Sequence, residues 1–122
     1  MTQQATQPVT KTFTHVHDLE EAKMRAETAF AFYREKDAEA GAGVNPTFAW
    51  RGNGSVADVS FTVNKTRLTG TVLITASSMP GVSKDGTMEL AVNVPADLRL
   101  FAPMMVNVVA KEVEGWLTMK DL

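Results

Sequence analysis

The stretch Ala57-Asp58-Val59-Ser60-Phe61-Thr62-Val63 decides the fold, because apolar and polar residues alternate along it without a break. Successive side chains of a strand point to opposite faces of a sheet, so this pattern predicts a strand with one buried and one wet face. The same alternation returns in residues 68–76 and 88–94, and more briefly in residues 48–50. Short segments rich in glycine, asparagine or proline separate these runs. The sequence therefore predicts an antiparallel sheet of four consecutive strands.

Amphipathic helices are predicted before and after these strands. Asp18 is suited to an N-cap, and Glu21 follows it at the capping-box spacing. An apolar stripe with a helical period then continues until glycines end it near Gly41. Pro103 is suited to the first turn of a final helix that carries a broad apolar arc. Each helix thus has one face that must be covered by the sheet.

Together these elements predict an α+β fold in the order α-β-β-β-β-α, with both helices packed on one face of the sheet. The β-prone residues 11–16 leave open a fifth strand that leads the chain into the first helix. Residues 1–10 are polar and carry no charged side chain, so we expect them to form a disordered lead-in. Residues 11–122 are then expected to form a single domain.

The composition argues against several classes of function. The chain has 12 basic and 14 acidic residues, a formal net charge of −2, and its basic residues form no run. Because nucleic-acid binding depends on clustered basic side chains, no nucleic-acid partner is predicted. The absence of cysteine excludes disulfides and thiolate metal sites. No apolar stretch approaches the roughly 20 residues of a transmembrane helix, so no transmembrane segment and a cytoplasmic location are expected.

A search for catalytic or metal-binding patterns finds none that is complete. His15 and His17 would point to the same side of a strand, but zinc needs three or four protein ligands and no further ligand cluster accompanies them. No serine stands in a glycine-flanked elbow, and Gly41-Ala42-Gly43 follows a helix, where a phosphate-binding loop would precede one. We therefore predict no catalytic residue, no cofactor and no metal ligand. An enzyme stays open only as a pocket built from scattered polar side chains.

A few apolar residues fall outside the predicted core. Met104 and Val108 lie on the helix side opposite the apolar arc, next to Phe101 in the preceding turn, and Phe32 projects away from the stripe of the first helix. Exposed methionine adapts to irregular partners, so these four residues form a candidate partner surface. The alternative interpretation is that Phe101 and Met104 close the end of the core.

Several short motifs, in this order, carry a family resemblance. They are His17-Asp18-Leu19 with Ala22, Trp50-Arg51-Gly52-Asn53, Phe61, Gly70-Thr71-Val72, and the apolar segment of residues 98–103 that ends in proline. Over residues 14–117 the chain resembles the small bacterial polyhydroxyalkanoic acid system proteins, although residues 41–46 and 77–86 form longer connections here. The resemblance implies an accessory protein of polyester storage granules, and it brings no catalytic residues to carry over.

Three functional hypotheses follow. The first is a non-enzymatic accessory or binding protein associated with polyhydroxyalkanoate granules. The second is a small apolar-ligand binder or cyclase-like enzyme with a cavity between the sheet and the C-terminal helix, by analogy with helix-grip folds. Its expected lining residues are Trp50, Phe61, Ile74 and Trp116. The third is a homodimeric scaffold joined through its sheet edges or through Met104 and Val108.

Overall fold

A computed structural model describes residues 7–52, 54–63, 65–95, 98 and 102–118. Its elements are β1 (Gln7–His15), α1 (Leu19–Ala40), β2 (Thr47–Trp50), β3 (Val56–Val63), β4 (Thr66–Thr75), β5 (Gly86–Val94) and α2 (Ala102–Thr118). The strands form one antiparallel sheet in the order β1-β5-β4-β3-β2. The α+β class is confirmed, and the fifth strand that the sequence left open is present. Neither helix, within the residues described, is long and apolar enough to cross a membrane.

Strand β1 starts earlier than expected. Residues 7–10 belong to the ladder, with Gln7 opposite Val94 and Thr10 opposite Ala91, so they are not part of a disordered lead-in. The reason lies in β5, whose nine residues offer a partner to every residue of β1. Pro8 is compatible with this position because an edge strand does not need every backbone N–H for its ladder.

One face of the sheet is buried and the other is wet. The four residues Ala57, Val59, Phe61 and Val63 of β3 are all buried, as the alternation predicted. The register extends the buried face across the sheet, since Ala57 lies opposite Val72 and Val72 lies opposite Leu90. Both helices cover this face, and their buried side chains join those of the strands in one core.

Gly70 marks the closest approach of two strands. It lies opposite Val92 on β5, and a Cβ atom at position 70 would collide with the carbonyl oxygen of Ala91 and lie 2.9 Å from Cα of Val92. Because both obstacles are backbone atoms, no side-chain rotation would make room. Glycine is therefore required at the centre of the sheet for steric reasons.

Helix α1 begins and ends at the predicted signals. Oδ1 of Asp18 accepts a hydrogen bond from the backbone N–H of Glu21 at 2.8 Å, and Gly41 ends the helix with a left-handed φ of 67°. The carboxylate of Asp37 then accepts the N–H groups of Val44 and Asn45, each at 2.9 Å. These bonds fix the connection between α1 and β2, because they satisfy two backbone donors of the loop.

Helix α2 runs antiparallel to α1 on the same sheet face. Pro103 lies in its first turn, as predicted. The start of α1 lies beside the end of α2, where Arg25 contacts the carbonyl of Trp116. Farther along α1, Lys36 lies 3.4 Å from Glu112, one turn earlier in α2. This arrangement leaves one side of α2 facing outward.

Candidate functional site

The outward side of the helical layer carries exposed apolar side chains. Met104 is 62% exposed, Val108 is 48% exposed and Phe32 is 41% exposed, and Met24 on α1 is also exposed. We call these four residues the outer helical face. The exposure of Met104 means that it does not close the end of the core. Phe101, the fourth residue of the predicted partner surface, lies outside the described residues.

Phe32 has aromatic and cation–π contacts within the protein. Its ring meets Trp116 edge-on at a centroid distance of 5.8 Å, and Nζ of Lys36 lies 5.1 Å from its centroid. Phe32 and Trp116 share a shallow groove with Gly115 of α2. Phe32 therefore forms the α1 border of the outer helical face, whereas Met104 and Val108 project from α2.

The four side chains predicted to line a cavity under α2 lie in different places. Phe61 and Ile74 are fully buried in the core, which also contains the buried side chains of α2. Trp50 lies at the β2 edge, where Lys23 covers its ring at 4.6 Å, and Trp116 lies beside Phe32. Trp50 and Trp116 line two different surface grooves, and neither of these grooves includes Phe61 or Ile74.

A second region lies where β1, α1 and α2 meet. The end of β1, the first turns of α1, the loop of residues 77–85 and the last turn of α2 enclose a groove of about 510 Å³. We call it the terminal groove. Its wall includes the side chains of His15, His17, Arg25 and Lys84. Sequence reasoning had considered the two histidines alone.

Two side chains of the terminal groove cap the end of α2. Nη1 of Arg25 donates to the carbonyl of Trp116 at 2.8 Å, and Nε2 of His17 donates to the carbonyl of Leu117 at 2.6 Å. Arg25 is only 4% exposed, and its Nε also donates to Glu21 at 2.8 Å. The last carbonyls of a helix lack intrahelical donors and carry partial negative charge, so a guanidinium and an imidazole stabilise them.

His15 is the most buried polar residue of this region. It is 2% exposed, and its Nδ1 accepts the backbone N–H of His17 at 3.0 Å. In the neutral ring the proton therefore lies on Nε2, and this N–H has no hydrogen-bond partner among the described residues. The carbonyls of Thr75 and Thr87 favour the protonated ring, but neither accepts a hydrogen bond of ordinary geometry.

The two imidazole rings affect each other. They stack with centroids 5.5 Å apart and an interplanar angle of 16°. Burial lowers the pKa of His15 below its usual 6.5, and the neighbouring His17 lowers it further. The His15 ring also lies directly over Gly86, where a Cβ atom would approach its Cε1 to 2.5 Å. His15 is thus held between β5 and His17, and burial and His17 both favour its neutral form.

The loop between β4 and β5 is tied to the same region by backbone bonds. Ser77 N donates to the carbonyl of His17 at 2.9 Å, and Gly81 N donates to the carbonyl of Val16 at 2.6 Å. Within the loop, the carboxylate of Asp85 accepts both the hydroxyl and the backbone N–H of Ser78. These bonds lower the pKa of Asp85 to about 2. The loop is therefore a structured wall of the terminal groove.

The sequence offered one overlooked signal for this region. Arg25 interrupts the buried alanine face of α1, where Ala22, Ala26 and Ala29 are fully covered. A charged residue at such a position is rarely buried unless it has partners, so its placement indicated an internal polar contact.

In the described part of the chain, no group of three or more histidine, aspartate or glutamate side chains could hold a metal ion.

A scan against models of known protein families gives no match, and a search of curated proteins gives none at a significant level. The resemblance to polyhydroxyalkanoic acid system proteins thus rests on the short motifs of the sequence.

Proposed function

We propose that this protein is a non-enzymatic accessory protein whose outer helical face binds an apolar surface, and that the surface is that of a polyester storage granule. The observation that carries the proposal is the exposure of Met104 and Val108 on the side of α2 that faces away from the core. The granule is suggested by the family resemblance of the sequence motifs. A polyester granule presents to water the kind of extended apolar surface that such side chains would contact.

Support for this face comes from its composition. Two methionines, a valine and a phenylalanine are exposed on the same helical layer. Single exposed apolar residues are common in soluble proteins, whereas Met104 and Val108 lie one turn apart on the same side of α2 and so are neighbours. Methionine is flexible and polarisable, so it suits a partner without a fixed shape, such as an amorphous polymer.

Co-sedimentation with purified polyester granules tests the proposal. We expect the unmodified protein to pellet with granules, and a double variant with Met104→Ser and Val108→Ser to remain mostly in the supernatant. The reason is that the substitutions remove two exposed apolar side chains of α2 while keeping the charge of the protein. Their effect on the free energy of unfolding should stay within about 0.5 kcal/mol per site, as for most surface positions.

Leu73 supplies a matched control. It is an exposed leucine on the wet face of the sheet, away from both helices. Leu73→Ser should leave co-sedimentation unchanged, because the proposal assigns no contact to that face. Equal pelleting of all variants, or pelleting no greater than that of an unrelated acidic protein, would refute the granule proposal.

Self-association through the same face is the competing explanation. A second copy of the chain could cover Met104 and Val108 as well as a granule could. Light scattering over a range of protein concentrations separates the two, since a monomer at every concentration leaves the face available for another partner. A dimer that the double variant converts to a monomer would favour the scaffold function instead.

A further inference from the structure

The terminal groove has properties that the outer helical face does not share. Its volume of about 510 Å³ lies within the range of small-molecule sites, roughly 300–1,000 Å³. It is built from four separate elements, and the loop bonds to Val16 and His17 fix one wall against β1. A pocket held together in this way is formed before a ligand arrives, which reduces the entropic cost of binding.

Some hydrogen-bonding groups of the terminal groove have partners within the protein and others do not. Two of its acceptors already have donors, because the carboxylate of Glu21 binds Arg25 and the carbonyl of Leu117 binds His17. Lys84 has no ion-pair partner among the described residues. A ligand that supplies oxygen acceptors would give the unpaired donor of this groove a partner.

The charged side chains of the terminal groove also favour a ligand with oxygen acceptors. Arg25 and Lys84 are cationic, and Glu21 is the one acidic side chain among the described groove residues. The carbonyl end of α2 offsets part of this charge through its contacts with Arg25 and His17. Lys84 is exposed and stays uncompensated, so the groove favours an anion over a cation.

We infer that the terminal groove binds a small organic carboxylate with a short apolar tail. The carboxylate would lie towards Lys84, the exposed cation of the groove. The tail would lie against Val16 and the Leu117 side of α2, which supply apolar surface to the same groove. This site is independent of the outer helical face, so either proposal can fail without the other.

The two histidines make the inference directly measurable. They are the only histidines of the chain and both line the groove, so their imidazole resonances report on it without ambiguity. In an NMR titration at constant pH and ionic strength, sodium hexanoate should shift both resonances in a saturable way. Hexanol, which has the tail but no charge, should bind more weakly, and hexylammonium should bind least.

Two lysine variants localise the charge effect. Lys84→Gln should weaken hexanoate binding about two- to fivefold, the contribution expected of one exposed ion pair. Lys111→Gln removes the same charge from the outward side of α2 and should leave the affinity unchanged. An equal loss in both variants would show an effect of net charge only and would overturn the assignment. So would hexylammonium binding as tightly as hexanoate, or hexanoate leaving both imidazole resonances unshifted.

Discussion

The two ends of helix α2 differ in how they contact the rest of the molecule. At its C-terminal end the backbone carbonyls of Trp116 and Leu117 are bonded to Arg25 and His17, which come from distant parts of the sequence. On its outward side Met104 projects into solvent. The first arrangement holds separate elements in place, whereas the second contributes little to the core. We therefore expect substitutions near the terminal groove to change stability and substitutions on the outer helical face to change binding.

The largest stability effect is expected for Arg25→Met. Methionine keeps much of the length of the side chain but donates no hydrogen bond, so the carbonyl of Trp116 loses a donor and Glu21 loses its ion pair. Breaking a buried charged contact in this way should lower the free energy of unfolding by about 2–3 kcal/mol, somewhat less than for a fully buried pair because Glu21 is partly exposed.

Chemical unfolding monitored by tryptophan fluorescence measures this loss. Arg34→Met on the exposed side of the same helix is the matched control and should change the free energy of unfolding by no more than about 0.5 kcal/mol. Similar small values for both variants would mean that the end of α2 does not depend on Arg25.

A pair of glycines offers a sharper comparison of the two regions. At Gly86 an added Cβ would lie 2.5 Å from Cε1 of His15 and 2.8 Å from the backbone nitrogen of Ser77, so Gly86→Ala should destabilise the protein by about 2 kcal/mol. At Gly115, on the outward side of α2, nothing lies within 4 Å of an added Cβ. There alanine should stabilise the helix by about 0.5–1 kcal/mol.

Thermal unfolding of the two variants should therefore move the melting temperature in opposite directions. The same substitution is made in both, so differences in side-chain chemistry cannot explain the result. A Gly86→Ala variant as stable as the parent would mean that the His15 ring moves aside at little cost, and the groove would then be less rigid than we propose.

Much of the fold could be predicted from the sequence because it depends on local patterns. The alternation of residues 57–63 predicted β3, and the cap at Asp18 predicted the start of α1. The early start of β1 could not be predicted, since Pro8 and its polar neighbours have no strand pattern of their own. They are ordered because β5 offers them a complementary strand, which is a tertiary effect.

Of the two candidate regions, the outer helical face could be predicted from the sequence and the terminal groove could not. The exposure of Met104 and Val108 followed from their helical angle, which the sequence contains. The cavity expected beside Phe61 and Ile74 stays a prediction, because a pattern shows which side of a strand is apolar but not whether the space beside it is filled. The terminal groove joins residues about 100 positions apart, such as His17 and Leu117. Only the three-dimensional arrangement brings such residues together.

The smallest expected effect concerns the loop beside the terminal groove and depends on pH. The folded protein holds the Asp85 carboxylate in bonds from Ser78, which lower its pKa from 3.8 to about 2. Since the folded state then takes up the proton less readily than the unfolded state, these bonds stabilise the fold fully above about pH 4 and are lost as the pH falls through 2. Asp85→Asn should thus be slightly less stable than the parent near neutral pH, and the difference in melting temperature should shrink as the solution is acidified from about pH 5 to pH 2. Glu114→Gln removes an acidic group from the exposed surface of α2 and controls for the change in net charge. A difference between parent and Asp85→Asn that stays constant down to pH 2 would mean that the Asp85 carboxylate does not hold the loop, and the wall of the terminal groove would then depend on its backbone bonds to Val16 and His17 alone.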